Sequence, residues 1–158
     1  MSQSLRLYVL VCAVLMAAGA LLHLAVMQGG AEWYALVGAP RGLIAMLSQG
    51  SLRPAVSCVV IASALFVCSA YALSALGHLR RLPALQVVLA LIAIGLVGRG
   101  LILPALAAWH PRTLLGICGR CEQLNAFVLL SSALCLFLGG GYSVAAMRAT
   151  PSPLPAAR

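Results

Sequence analysis

Four long apolar runs account for most of this 158-residue chain. A hydrocarbon core of about 30 Å is crossed by about 20 helical residues, and each run reaches that length. Backbone polar groups cannot stay unpaired in hydrocarbon, and the alternating pattern of membrane strands is absent, so the runs predict helices. The sequence therefore predicts an all-α integral membrane four-helix bundle, with one transmembrane domain over residues 1–147. The predicted helices cover residues 7–27, 55–76, 85–108 and 126–147.

Charged residues make up 8% of the chain and hydrophobic residues 63%. About 25% of residues are charged in soluble domains, so this composition excludes that class. The net charge of +8 is explained by membrane topology and by attraction to anionic lipid headgroups. Nucleic-acid binding requires an exposed basic face, which the sequence lacks, and we expect no nucleic-acid partner.

The first apolar run resembles a signal peptide, with Arg6 ahead of it and Ala18-Gly19-Ala20 in the place of a cleavage site. The apolar stretch continues to Met27, which is longer than a typical signal core. We therefore expect the first helix to remain as a membrane anchor.

The arginines predict the orientation, because short cytoplasmic loops are enriched in positive charge. The densest cluster is the Arg80-Arg81 turn, so we expect this turn and both termini in the cytoplasm. Residues 148–158 are predicted to be a flexible Pro-rich tail. The predicted cytoplasmic arginines are Arg6, Arg80, Arg81, Arg148 and Arg158, against Arg41, Arg53, Arg112 and Arg120 on the outer side.

The segment between the first two helices is too apolar for a solvated loop. Over residues 31–48, the break at Gly38-Ala39-Pro40 predicts two short helical pieces that lie in the membrane interface. Trp33 and Tyr34 are predicted at headgroup level, and Trp109 at the end of the third helix. These three aromatic residues are the predicted interfacial anchors.

Arg99 lies inside the third apolar run. A charged side chain at membrane depth costs from about 3 kcal/mol upward, which makes Arg99 a candidate functional residue. Helical rise places Arg99 and His23 at a similar depth, roughly 24 Å from the inner boundary. Both acids of the chain, Glu32 and Glu122, lie on the outer side, and Asn125 is in the first turn of the fourth helix. We predict a polar cluster of these five residues.

Two interpretations of this cluster stay open. In the first, Arg99 snorkels to the outer headgroups or forms one structural ion pair, and His23 bonds a backbone carbonyl. In the second, a pocket opens to the outer leaflet, where Arg99 binds an anionic or carbonyl group and His23 exchanges a proton. Gly98 and Gly100 leave space beside Arg99 for a neighbouring helix or for a ligand.

Cys118 and Cys121 form a Cys-x-x-Cys motif just before the fourth helix, beside Arg120. This position favours a lowered thiol pKa and disulfide exchange, but a structural disulfide, a metal site and incidental thiols are alternatives. A closed zinc site needs four ligands. Beside the two cysteines, His110 is the only evident third ligand, so no metal site is expected. We interpret the other four cysteines as small packing residues. They are Cys12, Cys58, Cys68 and Cys135. Of these, only Cys58 could approach Cys118 and Cys121.

An outer dithiol in a four-helix membrane protein resembles the vitamin K epoxide reductase and disulfide-bond protein B families. The resemblance implies that Cys118 and Cys121 are catalytic and reduce a quinone cofactor bound near Arg99. Those families carry a second cysteine pair in an outer loop, whereas residues 28–52 contain no cysteine.

Several short segments spread over residues 5–145 carry a second resemblance. They are Trp33-Tyr34, Gly38-Ala39-Pro40, Tyr71-Ala72-Leu73-Ser74, Arg80-Arg81-Leu82-Pro83 and Gly98-Arg99-Gly100-Leu101. In these segments the chain is similar to a family of small, uncharacterised four-helix inner-membrane proteins of bacteria. The resemblance implies a four-helix fold and a location in a bacterial inner (plasma) membrane, but it implies no activity. It includes Arg99 but not the cysteine pair.

The sequence thus favours a small non-enzymatic membrane protein. Its outer-leaflet polar site is expected to bind a lipid-like or anionic small molecule or to support a partner membrane protein. No cofactor is expected for this function, and the partners are membrane lipid and either a second copy or another membrane protein. The alternative is a periplasm-facing thiol–disulfide oxidoreductase that uses Cys118, Cys121 and a quinone.

Overall fold

The protein is all-helical over the residues that the computed structural model describes, which are 2–110, 118, 119, 121 and 124–149. Four of these helices are long and apolar enough to cross a membrane. Their ends lie within four residues of the predicted bounds, and the predicted four-helix fold is confirmed. The helices are α1 (Gln3–Val26), α2 (Gly30–Leu36), α3 (Arg41–Ser48), α4 (Arg53–Ala75), α5 (Leu85–Trp109) and α6 (Ala126–Arg148).

The short helices α2 and α3 are the two pieces predicted between the first two long helices. Gly38 separates them with a φ of +80°, a conformation that glycine adopts without steric cost. Pro40 then precedes α3 with a φ of −56° and has no N–H to continue α2. A glycine and a proline therefore make the turn that divides the segment.

The turn between α4 and α5 is held by Ser74. Its hydroxyl donates to the Arg80 carbonyl oxygen at 3.1 Å and accepts from the Leu82 N–H at 3.1 Å. The Arg6 guanidinium donates to the Leu76 carbonyl oxygen at 3.2 Å, which brings the start of α1 to the same end. We call this end of the bundle the inner end, and the opposite end, with α2 and α3, the outer end.

The four long helices pack as two close pairs, α1 with α4 and α5 with α6. Glycines allow the close approach in α6, because a Cβ on Gly139 would lie 2.7 Å from Val97 and a Cβ on Gly141 2.3 Å from the Cys12 sulfur. No Cα atom of α1 lies within 8 Å of one in α5, so these two helices are diagonal across the bundle.

Buried side chains form one cluster in the inner half and two in the outer half. The inner core contains residues of all four long helices, among them Val9, Ala72, Leu89 and Tyr142. In the outer half, the α1–α4 cluster and the α5–α6 cluster share no helix among the described residues. The α1–α4 cluster consists of Val26, Tyr34 and Cys58, and the α5–α6 cluster of Leu103, Ala107, Cys118, Cys121 and Val128.

Candidate functional site

Arg99 is exposed on the surface of α5. It lies ten residues before the end of the helix at Trp109, or about 15 Å along the axis. The structure records no hydrogen bond or ion pair from Arg99 to another residue of the described ranges. Its guanidinium is therefore available to a group from outside those ranges or from outside the chain.

The glycines around Arg99 differ in what surrounds them. A Cβ on Gly95 or Gly98 would meet nothing within 4 Å, so both positions are open. A Cβ on Gly100 would lie 2.8 Å from the Leu136 side chain and 3.0 Å from the Ser132 carbonyl oxygen. Gly100 thus accommodates α6, whereas Gly95 and Gly98 leave free space on the surface of α5.

No hydrogen bond or ion pair joins Arg99 to the other described members of the predicted polar cluster. His23 is half-buried on α1, and its Nδ1–H donates to the Gly19 carbonyl oxygen at 2.8 Å, which fixes the tautomer of the ring. Glu32 is exposed in the first turn of α2. The Asn125 Oδ1 accepts from the Val128 N–H at 3.0 Å and caps α6.

Glu122, the second predicted acid, and Arg120 lie outside the described residues, as does the tail beyond Ala149. The cluster of Arg99 with His23, Glu32 and Glu122 therefore stays a prediction. The contacts that are described for His23 and Asn125 are local, since each bonds the backbone of its own helix.

The predicted anchors fall into two environments. Trp33 is 45% exposed and Trp109 is exposed at the end of α5, whereas Tyr34 is 2% exposed. Tyr34 differs from the expectation because α2 folds back and packs its ring against Val26 and Cys58. Burial, together with a hydrogen bond to Cys58, raises the pKa of Tyr34 above its ordinary value.

Cys118 and Cys121 lie in the outer α5–α6 cluster. Their sulfurs are 2.06 Å apart and their Cα atoms 5.4 Å apart, the spacing of a disulfide bond. Cys121 is fully buried and Cys118 is 9% exposed. A thiol or disulfide with so little exposure gives a partner protein poor access to its sulfurs.

The loop that carries this disulfide rests on the turn between α2 and α3. The Gly119 N–H donates to the Gly38 carbonyl oxygen at 3.2 Å. A Cβ on Gly119 would lie 2.4 Å from the Ala39 carbonyl oxygen, and a Cβ on Gly38 would lie 2.7 Å from the Phe127 ring. We call this contact the outer clamp: the Cys118–Cys121 loop and Phe127 against Gly38 and Ala39.

The four remaining cysteines are free thiols. Cys58, the one expected to approach the pair, belongs to the other outer cluster and bonds Tyr34. No group of three or more His, Cys, Asp or Glu residues that could hold a metal ion occurs among the described positions.

The contact that forms the outer clamp is not predicted from the sequence. The sequence indicates a turn at Gly38, and it assigns no role to Gly119 or Phe127. The glycines at positions 38 and 119 are the sequence signal for this contact, because a close approach of two backbones requires the absence of a Cβ.

No protein-family model, curated protein or solved structure matches the chain. The chemistry of its residues is therefore the guide to its function.

Proposed function

We propose that the chain is a non-enzymatic multi-pass protein of a bacterial inner membrane, and that its outer half binds an anionic lipid-like molecule through Arg99. One observation carries this proposal. The guanidinium is exposed on an apolar membrane-crossing helix, beside open space at Gly95 and Gly98.

The energetics favour an anionic ligand. Leaving a guanidinium in hydrocarbon costs from about 3 kcal/mol upward, and a phosphate or carboxylate removes this cost with two charge-assisted hydrogen bonds. Arg99 lies about 15 Å before the end of α5. A headgroup that reaches it has to sit below the level of Trp109, with its tail along the exposed side chains of Leu91 and Ile94.

Native mass spectrometry tests the site. The protein is released from nanodiscs that contain equal amounts of phosphatidylglycerol and phosphatidylcholine, and the bound lipids are counted. We expect enrichment of the anionic lipid, a loss of about tenfold in Arg99→Leu, and an intermediate value in Arg99→Lys, which keeps the charge without the planar fork.

Arg148→Leu is the matched control, because it removes one positive charge at the inner end of α6. It should leave the enrichment as in the wild type. An equal loss in Arg99→Leu and Arg148→Leu would mean a general attraction between a basic protein and anionic lipid, and would refute the site.

The proposed orientation places the inner end in the cytoplasm. Arg6, Arg80, Arg81 and Arg148 lie at that end, whereas Arg41 and Arg53 are the described arginines of the outer end. This asymmetry supports cytoplasmic termini by the positive-inside rule. A fluorescent protein fused at the C-terminus should then be fluorescent and an alkaline phosphatase fusion inactive, and the opposite pair of results would invert the topology.

We assign Cys118 and Cys121 a structural role rather than quinone-linked disulfide exchange. Burial of both sulfurs and the pairing of Cys58 with Tyr34 in a separate cluster support this assignment. A Cys121→Ser variant should therefore trap no mixed disulfide with another protein. A trapped adduct would instead favour the oxidoreductase.

A further inference from the structure

We propose that the outer clamp is a redox-controlled latch between the two helix pairs. Reduction of the Cys118–Cys121 disulfide opens the outer end of the bundle and leaves the inner core closed. The latch does not depend on the Arg99 site, because its contacts involve other residues and its test measures opening rather than ligand binding.

The outer half of the bundle is divided between the two helix pairs. Its two buried clusters share no helix among the described residues. No Cα atom of α2 or α3 lies within 8 Å of one in α5 or α6, so these short helices belong to the α1–α4 pair. In the described part of the outer end, the pairs are therefore not held together by a common core.

The outer clamp crosses this division. Gly38 and Ala39 lie between α2 and α3, on the α1–α4 side, whereas Cys118, Cys121 and Phe127 belong to the α5–α6 cluster. The Gly119 N–H bonds the Gly38 carbonyl oxygen, and the backbones meet so closely that no Cβ fits at Gly119. The Cys118–Cys121 disulfide restricts the backbone at Gly119, which makes this contact.

The inner half of the bundle is held together without the clamp. Its core combines residues of all four long helices, and the Arg6 bond to Leu76 adds a tie at the inner end. The Ser69 hydroxyl also donates to the Ala13 carbonyl oxygen at 2.8 Å, which joins α1 to α4. Opening at the outer end can therefore hinge on a closed inner end.

The opening step is a two-electron reduction by a small-molecule dithiol. A reductant thiolate attacks the Cys118 sulfur, because the Cys121 sulfur is fully buried. The sulfur–sulfur bond breaks, Cys121 leaves as a thiolate, and a mixed disulfide forms on Cys118. The second reductant thiol then releases Cys118, so the reductant ends as a disulfide and both cysteines take up the protons it lost.

Reduction weakens the clamp because Gly119 regains conformational freedom. The cross-link between Cys118 and Cys121 restricts the backbone at Gly119, and its loss restores the excluded conformations. Gly119 is then no longer held against Ala39, and the contact between the α1–α4 pair and the α5–α6 pair at the outer end is weakened.

Hydrogen–deuterium exchange by mass spectrometry tests the latch on the full chain in detergent micelles. After dithiothreitol treatment, amide exchange in residues 30–48 should rise about tenfold or more, whereas residues 138–146 of the inner core should change by less than about twofold. The double variant Cys118→Ser with Cys121→Ser should behave like the reduced protein. Cys135→Ser, which removes a free half-buried thiol of α6, should behave like the oxidised wild type.

A second variant tests the clamp without touching the disulfide. Gly119→Ala puts a Cβ where the Ala39 carbonyl oxygen lies, so residues 30–48 should again exchange faster while the disulfide stays formed. Gly42→Ala is the control in α3, because a Cβ there meets nothing within 4 Å. Unchanged exchange of residues 30–48 in the reduced protein and in the double serine variant would overturn the proposal. Loss of protection in residues 138–146 together with residues 30–48 would overturn it as well.

Discussion

In the inner half of the bundle, buried residues of all four long helices form one core, whereas in the outer half they form two cores that share no described helix. The inner core is built from close helix packing, with Gly139 and Gly141 of α6 against Val97 and Cys12. The outer half instead has elements besides the long helices. The short helices α2 and α3 pack with the α1–α4 pair, and the Cys118–Cys121 disulfide lies with the α5–α6 pair.

This difference shows two ways to hold helices together in lipid. Apolar side chains gain little by leaving hydrocarbon for a protein interior, so association depends on shape, dispersion contacts and specific bonds. The inner half obtains these contacts along the helices themselves. The outer half obtains them through the outer clamp, whose contacts lie in loops and at the first turn of α6.

The largest effect should come from filling a glycine contact of the inner core. A Cβ on Gly141 would lie 2.3 Å from the sulfur of the fully buried Cys12, so Gly141→Ala should lower the free energy of unfolding by about 1–3 kcal/mol. Unfolding in mixed micelles with increasing dodecyl sulfate measures this loss. Gly95→Ala is the control, because its Cβ meets nothing within 4 Å. Equal stabilities of the two variants would contradict the glycine-packed inner core.

The number and bounds of the long helices could be predicted because hydrocarbon thickness fixes helix length and unpaired backbone groups are excluded. Helix rotation could not be predicted. In a soluble protein a polar stripe marks the exposed face. Apart from Gln86 and Arg99, α5 is apolar on every face, so its lipid-facing and core-facing residues look alike in sequence.

The candidate site shows the same limit. Depth follows from helical rise, so Arg99 and His23 could be placed at one level, but helix order could not be deduced, and α1 and α5 are diagonal. The role of Asn125 as the cap of α6 was available from its position just before an apolar run, which is where Asn is favoured.

A smaller effect should come from the bond that joins α1 to α4. Ser69→Ala removes a buried hydroxyl that donates to the Ala13 carbonyl oxygen and should cost about 0.5–1.5 kcal/mol, measured by the same unfolding titration. Ser63→Ala, at an exposed position of the same helix, should cost less. If the two variants lose equal stability, specific bonding within this helix pair contributes nothing beyond packing.

The smallest effect should be the contribution of Tyr34, in the outer α1–α4 cluster, to the pH dependence of stability. Burial, and then the bond to Cys58, raises the pKa of Tyr34, so the folded protein keeps this proton to higher pH than the unfolded chain does. The folded state binds more protons above about pH 10, and stability is therefore lost as the pH rises from there towards the folded-state pKa. In Tyr34→Phe, which cannot ionise, the Tm should fall less between about pH 9 and pH 11, by a few degrees at most. Parallel alkaline losses in the wild type and Tyr34→Phe would mean that the tyrosine of this outer cluster does not resist ionisation.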